Sequence, residues 1–355
     1  MNIVASSPGR VCLFGEDVDY MGLEVITLAI NQRIEVQGKT NTTGKIVVYL
    51  DDINKKITFH NKKQRQLRRR NYVKSAFNIY QKFFPDNFGA RLTVKSTIPI
   101  GKGLSSSSAF CAALVGFFDK AAEYNSNEKE LAWNAYLAEV VNLGEPGGMM
   151  DHYASVLGNL VYLECYEPYT VERFSITLEG LVIGDTLTKK ETIQTLQTRK
   201  KEILQGIELM KTKDDSFNLY TSSFSDVQTE FMNNPDIGLK RLLGVLGIRD
   251  TVREGYQLIK DKTPLAEDLA SLINKHHDYQ QTYFENVTEK MQDLIKKAKE
   301  SGALGCKLLG SGNGGSFLAY SPGKEERVAE AIEKGGGQAY ILKQDKGLQI
   351  DVLEK

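Results

Sequence analysis

Four short stretches carry side chains of a type and spacing that can do chemistry, and one of them organises the rest. Pro99-Ile100-Gly101-Lys102-Gly103-Leu104-Ser105-Ser106-Ser107-Ser108-Ala109 follows a run with strand alternation (residues 90–96) and opens an almost wholly apolar segment (residues 110–118). A helix that is apolar all round is buried, which holds its unpaired N-terminal amides and positive dipole end in one direction. That arrangement suits a phosphate. Pro99 forbids helix until the glycines have turned the chain. Gly101 and Gly103 let backbone come close to a ligand, and the hydroxyls of Ser105, Ser106, Ser107 and Ser108 add donors and a neutral oxygen ligand for magnesium. A Gly/Ser linker is the plain alternative, but linkers do not run directly between a strand and a buried helix. The loop is not the GxxxxGK[ST] nucleotide loop, since no lysine follows its last glycine.

The second stretch, residues 15–22, packs Glu16, Asp17 and Asp19 beside apolar strands, which is costly unless the carboxylates bind something; a solvated acidic turn is the ordinary alternative. The third, residues 144–155, breaks the chain at Gly144-Glu145-Pro146-Gly147-Gly148 and places Asp151 at a turn opening a new helix. The fourth is the glycine loop Gly310-Ser311-Gly312-Asn313-Gly314-Gly315, for which a flexible hairpin is the ordinary reading.

The elements that must position these groups follow from periodicity. Strands are expected at residues 3–6 and 11–14, separated by Pro8-Gly9-Arg10, and again at 34–37, 46–50 and 57–60. Helices are expected at 71–83 and from 125 to 143, with Glu139 near the end of the second. After a strand at 160–165 and a turn at Glu167-Pro168 the composition shifts towards long helices, so two domains are expected, 1–175 and 176–355. The second holds a strand at 181–184, a long helix at 191–210, shorter helices over 226–277 and a helix at 288–301 with Met291, Leu294, Ile295 and Ala298 on one face. Strands at 306–309, 316–320, 338–342 and 348–352 and a helix at 324–334 complete it. His276-His277 has no partner at helical spacing and is expected on a helix surface, not on a metal.

With 45 basic and 45 acidic residues the formal net charge is zero, so nothing global points to nucleic acid or an anionic membrane. The basic run over residues 62–70 is expected to be a solvated face or a phosphate-steering patch. Cys12, Cys111, Cys165 and Cys306 stand apart within apolar runs, as reduced buried thiols do. A soluble cytoplasmic protein, monomer or homodimer, with small-molecule partners is expected, since no run of 18 apolar residues occurs.

The PxxxGLSSSSA pattern resembles the phosphate loop of the GHMP kinases, the small-molecule kinase superfamily of galactokinase, homoserine kinase and mevalonate kinase. PGRVCLFGEDVDYMG resembles the galactokinase signature, Asn71-Tyr72-Val73-Lys74 a similar galactokinase segment, and GGMMDHYAS the segment that holds the catalytic aspartate there. SGALGCKLLGSGNGGSFLAY resembles the third GHMP motif, and its LLGSGNGG also looks like the GHMP heptose kinases. The resemblance implies a two-domain α+β fold, an N-terminal domain like ribosomal protein S5 domain 2 and a C-terminal ferredoxin-like domain, with ATP and substrate in the cleft. It implies nucleotide binding by Pro99, Gly101, Gly103, Leu104, the serine run and Gly312. Magnesium is implied at Ser107 and at Glu139, which stands twelve residues before Asp151 as the ligand glutamate does in galactokinases. Asp151 is implied as the group that accepts or orients the proton of the attacking hydroxyl, and Arg10 as the charge that steadies it and the phosphoryl group. Glu16, Asp17, Asp19, Gly148, Asp151 and Gly314 are implied as substrate-binding.

Three positions depart from the pattern. Ser108 replaces a usual alanine, Asp17 replaces the signature histidine, and Leu196 stands where galactokinases carry a sugar-contacting tyrosine before paired arginines. The implied activity is transfer of the ATP γ-phosphate to the anomeric hydroxyl of a galactose-like sugar. The alternatives are a heptose phosphate or mevalonate as substrate, or a non-catalytic sugar sensor. Three clustered carboxylates favour an uncharged, hydroxyl-rich ligand over an anion.

Overall fold

The computed structural model describes residues 1–65, 67, 70–99, 101–188, 192–261 and 263–353. Gln66, Arg68 and Arg69 of the basic run, Ile100 of the serine loop and Glu191, where the long helix is expected to begin, lie outside the described residues. The chain opens with β1 (Asn2–Phe14), β2 (Glu24–Asn41), β3 (Lys45–Leu50), β4 (Lys55–His60), α1 (Tyr72–Tyr80) and β5 (Gly89–Ser96). Then come α2 (Ser106–Ala121), α3 (Glu128–Tyr136), α4 (Met150–Leu157), β6 (Leu160–Glu164), β7 (Val171–Phe174) and β8 (Leu181–Asp185). A helical stretch follows, α5 (Thr192–Lys213), α6 (Phe224–Asn233), α7 (Ile237–Ile259), α8 (Ala266–Tyr279) and α9 (Glu289–Glu300). The chain closes with β9 (Gly305–Leu309), β10 (Ser316–Tyr320), α10 (Glu325–Lys334), β11 (Gln338–Leu342) and β12 (Gln349–Val352).

Two compact units result, Met1–Arg10 with Leu28–Val161 and Gln344–Lys355, and Val11–Thr27 with Tyr162–Lys343. This differs from a single boundary near residue 175. The long strands β1 and β2 each run on from one unit into the other, and the last strand returns to pair with β1, Ile3 opposite Val352.

In the first unit the sheet order is β12-β1-β2-β5-β3-β4, with β6 beside β2. Helix α2 lies among α1, α3 and α4, and Cys111, Ala112, Ala113, Leu114, Val115, Phe117 and Phe118 are all inaccessible, as an all-apolar helix demands. The break expected at Pro8-Gly9 does not occur. β12 pairs only with Ile3–Ser6, so the missing N–H of Pro8 breaks no bond to it. Gly9 is required by the neighbouring loop, because a Cβ there would sit 2.6 Å from the carbonyl oxygen of Leu104.

In the second unit an antiparallel sheet runs β11-β8-β10-β9. Taken in sequence the strands are ordered 4-1-3-2, the ferredoxin-like arrangement, with α9 and α10 as its covering helices. Met291, Leu294, Ile295 and Ala298 are buried with Val182, Leu308, Phe317, Val328 and Ile332, which bears out the single apolar face of α9. Helices α5 to α8 form an excursion between β8 and β9 with its own core of Met210, Phe217, Val227, Leu239, Leu242 and Leu246. Among the described residues no helix is long and apolar enough to cross a membrane.

Candidate active site

In the first unit, β1, the serine loop and the first turn of α4 bring Arg10, Gly103, Leu104, Ser105 and Asp151 together. Nε of Arg10 donates to Oδ1 of Asp151 at 2.6 Å, and its Nη2 lies 2.6 Å from the same oxygen. Nη1 donates to the carbonyl of Gly103 at 2.6 Å, and the Arg10 backbone N–H to that of Leu104 at 3.2 Å. One residue therefore fixes both the loop and the carboxylate. Ser105, the N-cap of α2, sits in the left-handed region at φ +57°. Its hydroxyl makes no capping bond and donates instead to Oδ2 of Asp151 at 2.6 Å. Turning the cap hydroxyl away leaves the first-turn amides of a buried helix without it, the condition under which a helix start receives an anion. Burial pushes the Asp151 carboxyl up, but the charge of Arg10, the Ser105 hydroxyl and the charge of His152 outweigh it and hold the group below the usual carboxylate range. The side chain keeps 26% of its surface exposed, so a ligand can reach it.

Ser106 and Ser107 are half-buried at the start of α2, while Ser108 is buried. Gly101 and Gly103 both have positive φ, +73° and +74°. Pro99 and Gly148 lie half-buried in the loops that precede α2 and α4. Glu139 is buried on a single π-helical turn, Leu137–Val141, where its Oε2 lies 2.7 Å from Nε2 of His152. Burial and the charge of Glu139 raise the carboxyl of Glu145; Cys111, one turn beyond Ser107, is raised by burial and by both glutamates. Two carboxylates, Glu139 and Glu145, thus act on Cys111 one turn beyond Ser107, and carboxylate and hydroxyl oxygens are the hard ligands that suit magnesium. Among the described residues no three His, Cys, Asp or Glu side chains converge on a metal-sized site, so a cation here needs oxygens from a nucleotide and water.

In the second unit the acidic loop after β1 is not solvated. Glu16 is 2% exposed and its Oε2 lies 3.0 Å from Nζ of Lys307, a residue of β9 with no exposed surface. Nζ also donates to the carbonyl of Cys12 at 2.9 Å. Asp17 places Oδ2 3.1 Å from Nη1 of Arg199 on α5 and 3.4 Å from Nδ2 of Asn286. What these two carboxylates bind is thus cations of the chain itself, and the expectation that they repel an anionic ligand loses its basis. Asp19, half-buried, opens a short 3-10 turn, Asp19–Met21. Gly312 and Gly314 are buried in the glycine loop, and a Cβ on Gly312 would sit 2.6 Å from Asn286.

His276 and His277, expected on a helix surface, are buried. Nε2 of His276 accepts from the N–H of Gly15 at 3.2 Å, and Nδ1 of His277 accepts from that of Leu308 at 3.3 Å. Burial holds both rings neutral, His276 well below the usual imidazole range and His277 down at about 4. Neutral imidazoles on α8 satisfy strand and loop donors that have no sheet partner. The sequence gives a late hint of one missed residue, since Lys307 interrupts an otherwise apolar strand and so must have a partner. Arg199 stands where the galactokinase pattern has its paired arginines after Leu196, which marks the position but not its carboxylate partner, and nothing in the local sequence marks Asn286 or His152.

The galactokinase galactose-binding signature matches residues 1–40, the GHMP kinases N terminal domain residues 71–159 and the GHMP kinases C terminal domain residues 262–338. A mevalonate kinase of Thermococcus sibiricus is 26% identical over 363 residues, covering 99% of each chain. A galactokinase of Thermococcus kodakarensis is 27% identical over 340 residues, covering 92% of this chain and 91% of its own. Among solved structures, the Lactococcus lactis galactokinase complexed with galactose has a TM-score of 0.84 at 20% identity, covering 98% of this chain and 95% of that one. The fold is that of a two-domain small-molecule kinase. The chain belongs to the GHMP kinase superfamily, a phosphotransferase family whose phosphate donor is ATP.

Proposed function

We propose that this kinase phosphorylates a galactose-like monosaccharide at its anomeric hydroxyl. The observation that carries the sugar reading is the galactose-binding signature over residues 1–40, which runs through Arg10, Glu16 and Asp19. Asp151 is the proposed base. Its low carboxyl pKa makes it a weak one at neutral pH, so its main work is to hold the attacking hydroxyl in line and to take the proton as the new O–P bond forms and the bond to the leaving diphosphate oxygen breaks. Arg10 keeps Asp151 ionised and adds positive charge where the phosphoryl group passes. The amides at the start of α2, with Pro99, Gly101, Gly103, Leu104 and the serines, cradle the phosphates; Gly312 is assigned to the nucleotide and Gly314 to the substrate. Ser107 and Glu139 would hold magnesium, which neutralises phosphate charge when bound. His152 fixes the orientation of Glu139.

A second reading, mevalonate as acceptor, is favoured by the Thermococcus sibiricus relative. The test is a screen of the purified protein with ATP and magnesium against galactose, fucose, arabinose, galactosamine, galacturonate, heptoses and mevalonate, reading ADP release and the phosphorus spectrum of the product. An anomeric sugar phosphate from a neutral sugar is expected. Turnover of mevalonate alone, or of a sugar phosphate alone, overturns the sugar reading.

A further inference from the structure

We propose that Asp17 and Arg199, with Asn286 beside them, form a positioning clasp that ties the glycine loop of residues 310–315 to the acidic loop after β1, so that Asp17 acts through the loop and does not touch substrate. The inference rests on the kinase reading above and changes the role of one residue within it.

The geometry is a closed set of contacts within one unit. Arg199 spends Nη1 on two acceptors, Oδ2 of Asp17 at 3.1 Å and the carbonyl of Ser311 at 3.2 Å. Its guanidinium carbon lies 4.9 Å from the centre of the Phe284 ring, a cation–π contact. Asn286 repeats the pattern, with Nδ2 donating to Oδ2 of Asp17 at 3.4 Å and to the carbonyl of Ser311 at 3.3 Å. Two acceptors on one nitrogen fix which way the amide points. The backbone carbonyl of Asn286 then accepts from the N–H of Asn313 at 2.7 Å, and the Asn286 side chain fills the space a Cβ on Gly312 would need. Ser311, Gly312 and Asn313 are therefore all referenced to Asn286, and Ser311 also to Arg199.

The acidic loop is itself anchored, through Glu16 on Lys307 and through the N–H of Gly15 on His276. It offers a fixed point from which Asp17 can hold the other partners. Asp17 stands at φ +66°, a conformation a non-glycine residue adopts at a cost, here with its side chain directed into the clasp. Access decides between a clasp and a substrate contact. The side chain of Asp17 is 2% exposed and that of Arg199 6%. A sugar hydroxyl seeking Oδ2 would have to compete with Arg199, and the buried guanidinium would lose its carboxylate.

The experiment compares Asp17→Asn, Arg199→Met and the double variant. Hydrogen exchange of backbone amides over residues 305–320, followed by mass spectrometry on ligand-free protein, is the first readout and needs no substrate. Each single variant is expected to speed exchange in the glycine loop by about 2- to 100-fold, the range of coupling between contacting groups. The double variant is expected to go no further than either single one. The second readout is steady-state kinetics. Both single variants are expected to raise KM for ATP and for the acceptor together, with matching effects. The clasp is overturned if glycine-loop exchange is unchanged in both, or if Asp17→Asn raises KM for the acceptor alone while Arg199→Met does not. Should Arg199→Met fail to fold, Arg199→Lys, which keeps the charge and loses the fork, and Asn286→Ala give the same test. If no acceptor turns over, the exchange data still decide the clasp, so its failure and that of the sugar reading are distinguishable.

Discussion

Each unit of this kinase contains an aspartate paired with a buried arginine, and the two carboxyls are displaced in opposite directions. Asp151 receives two guanidinium nitrogens of Arg10 at 2.6 Å and a hydroxyl at 2.6 Å, and keeps 26% of its side chain accessible. Its carboxyl lies below the usual range. Asp17 has one guanidinium nitrogen at 3.1 Å, an amide at 3.4 Å, the carboxylate of Glu16 nearby and 2% exposure. Burial and Glu16 outweigh Arg199, and its carboxyl lies above the usual range. An aspartate–arginine pair is thus no guide to role by itself. The two pairs differ in that donors more than offset burial at Asp151, where one edge stays open, and fall short of it at Asp17.

That contrast can be broken by substitution, and the largest effect is expected at Asp151. Asp151→Asn should lower kcat by about 10²- to 10⁴-fold while leaving ATP binding intact, the usual weight of a positioned base; Asp17→Asn should cost far less in kcat. Equal losses in steady-state assays would erase the distinction. Lys307→Met, which removes the buried ammonium 3.0 Å from Glu16, should reduce unfolding free energy by about 3–5 kcal/mol in urea titrations. Adding Glu16→Gln should recover part of it. Arg10→Met should cost about 10²- to 10³-fold in kcat and move the acid limb of the pH–rate profile upward, because the charge that depresses Asp151 is gone. Arg199→Met should leave that limb in place. Ser107→Ala and Glu139→Gln should each raise the magnesium needed for half-maximal nucleotide binding by roughly tenfold, read by calorimetry, with Ser108→Ala unchanged.

The smallest effect is a pair of opposite slopes in stability against pH. Asp151, depressed on folding, contributes stability above its unfolded value near about 4 that is lost as pH falls through the folded value. Asp17, raised on folding, contributes below that same value and loses its contribution as pH rises through its folded value. Relative to wild type, Asp151→Asn should therefore compare best at low pH and Asp17→Asn at higher pH, in denaturant titrations from pH 3 upward. Slopes of one sign would mean the two pairs are electrostatically alike.

Much of this arrangement is legible in residue order, for identifiable reasons. β10 and β11 coincide with their expected limits because every residue of the first is buried and a glycine turn precedes the second. Asp151 and the serine loop are legible because each lies in a contiguous motif. The single helix α7 is not, since Gly238, Gly244, Gly247 and Gly255 read as interruptions. In the structure they are where neighbours lie against the helix: a Cβ on Gly247 would overlap the Tyr279 ring, and one on Gly255 would sit 2.7 Å from Phe14. The cations opposite Glu16 and Asp17 are hidden for another reason. Lys307 and Arg199 come from elements far along the chain, and no local spacing records which carboxylate they meet. Reading the histidines of α8 as surface residues fails similarly, because their value as neutral acceptors exists only once β9 and the acidic loop are in place.

The return of β12 to β1 bears on how the chain is made. Ile3 and Ala5 are wholly buried, and the outer edge of β1 is covered only when Val352 to Gln349 pair with it. Arg33 then locks the returning segment, bonding Asp345 and the carbonyls of Lys346 and Gly347 as well as Ser6. At a translation rate of about 5–20 residues per second, a ribosome needs on the order of 20–70 s to reach that strand. Through that interval the nascent protein presents an apolar strand with an open edge, the kind of surface that recruits other chains. Ribosome-associated chaperones, or a slow approach to the native state after dilution from denaturant, are the expected companions of a fold whose first strand waits for its last.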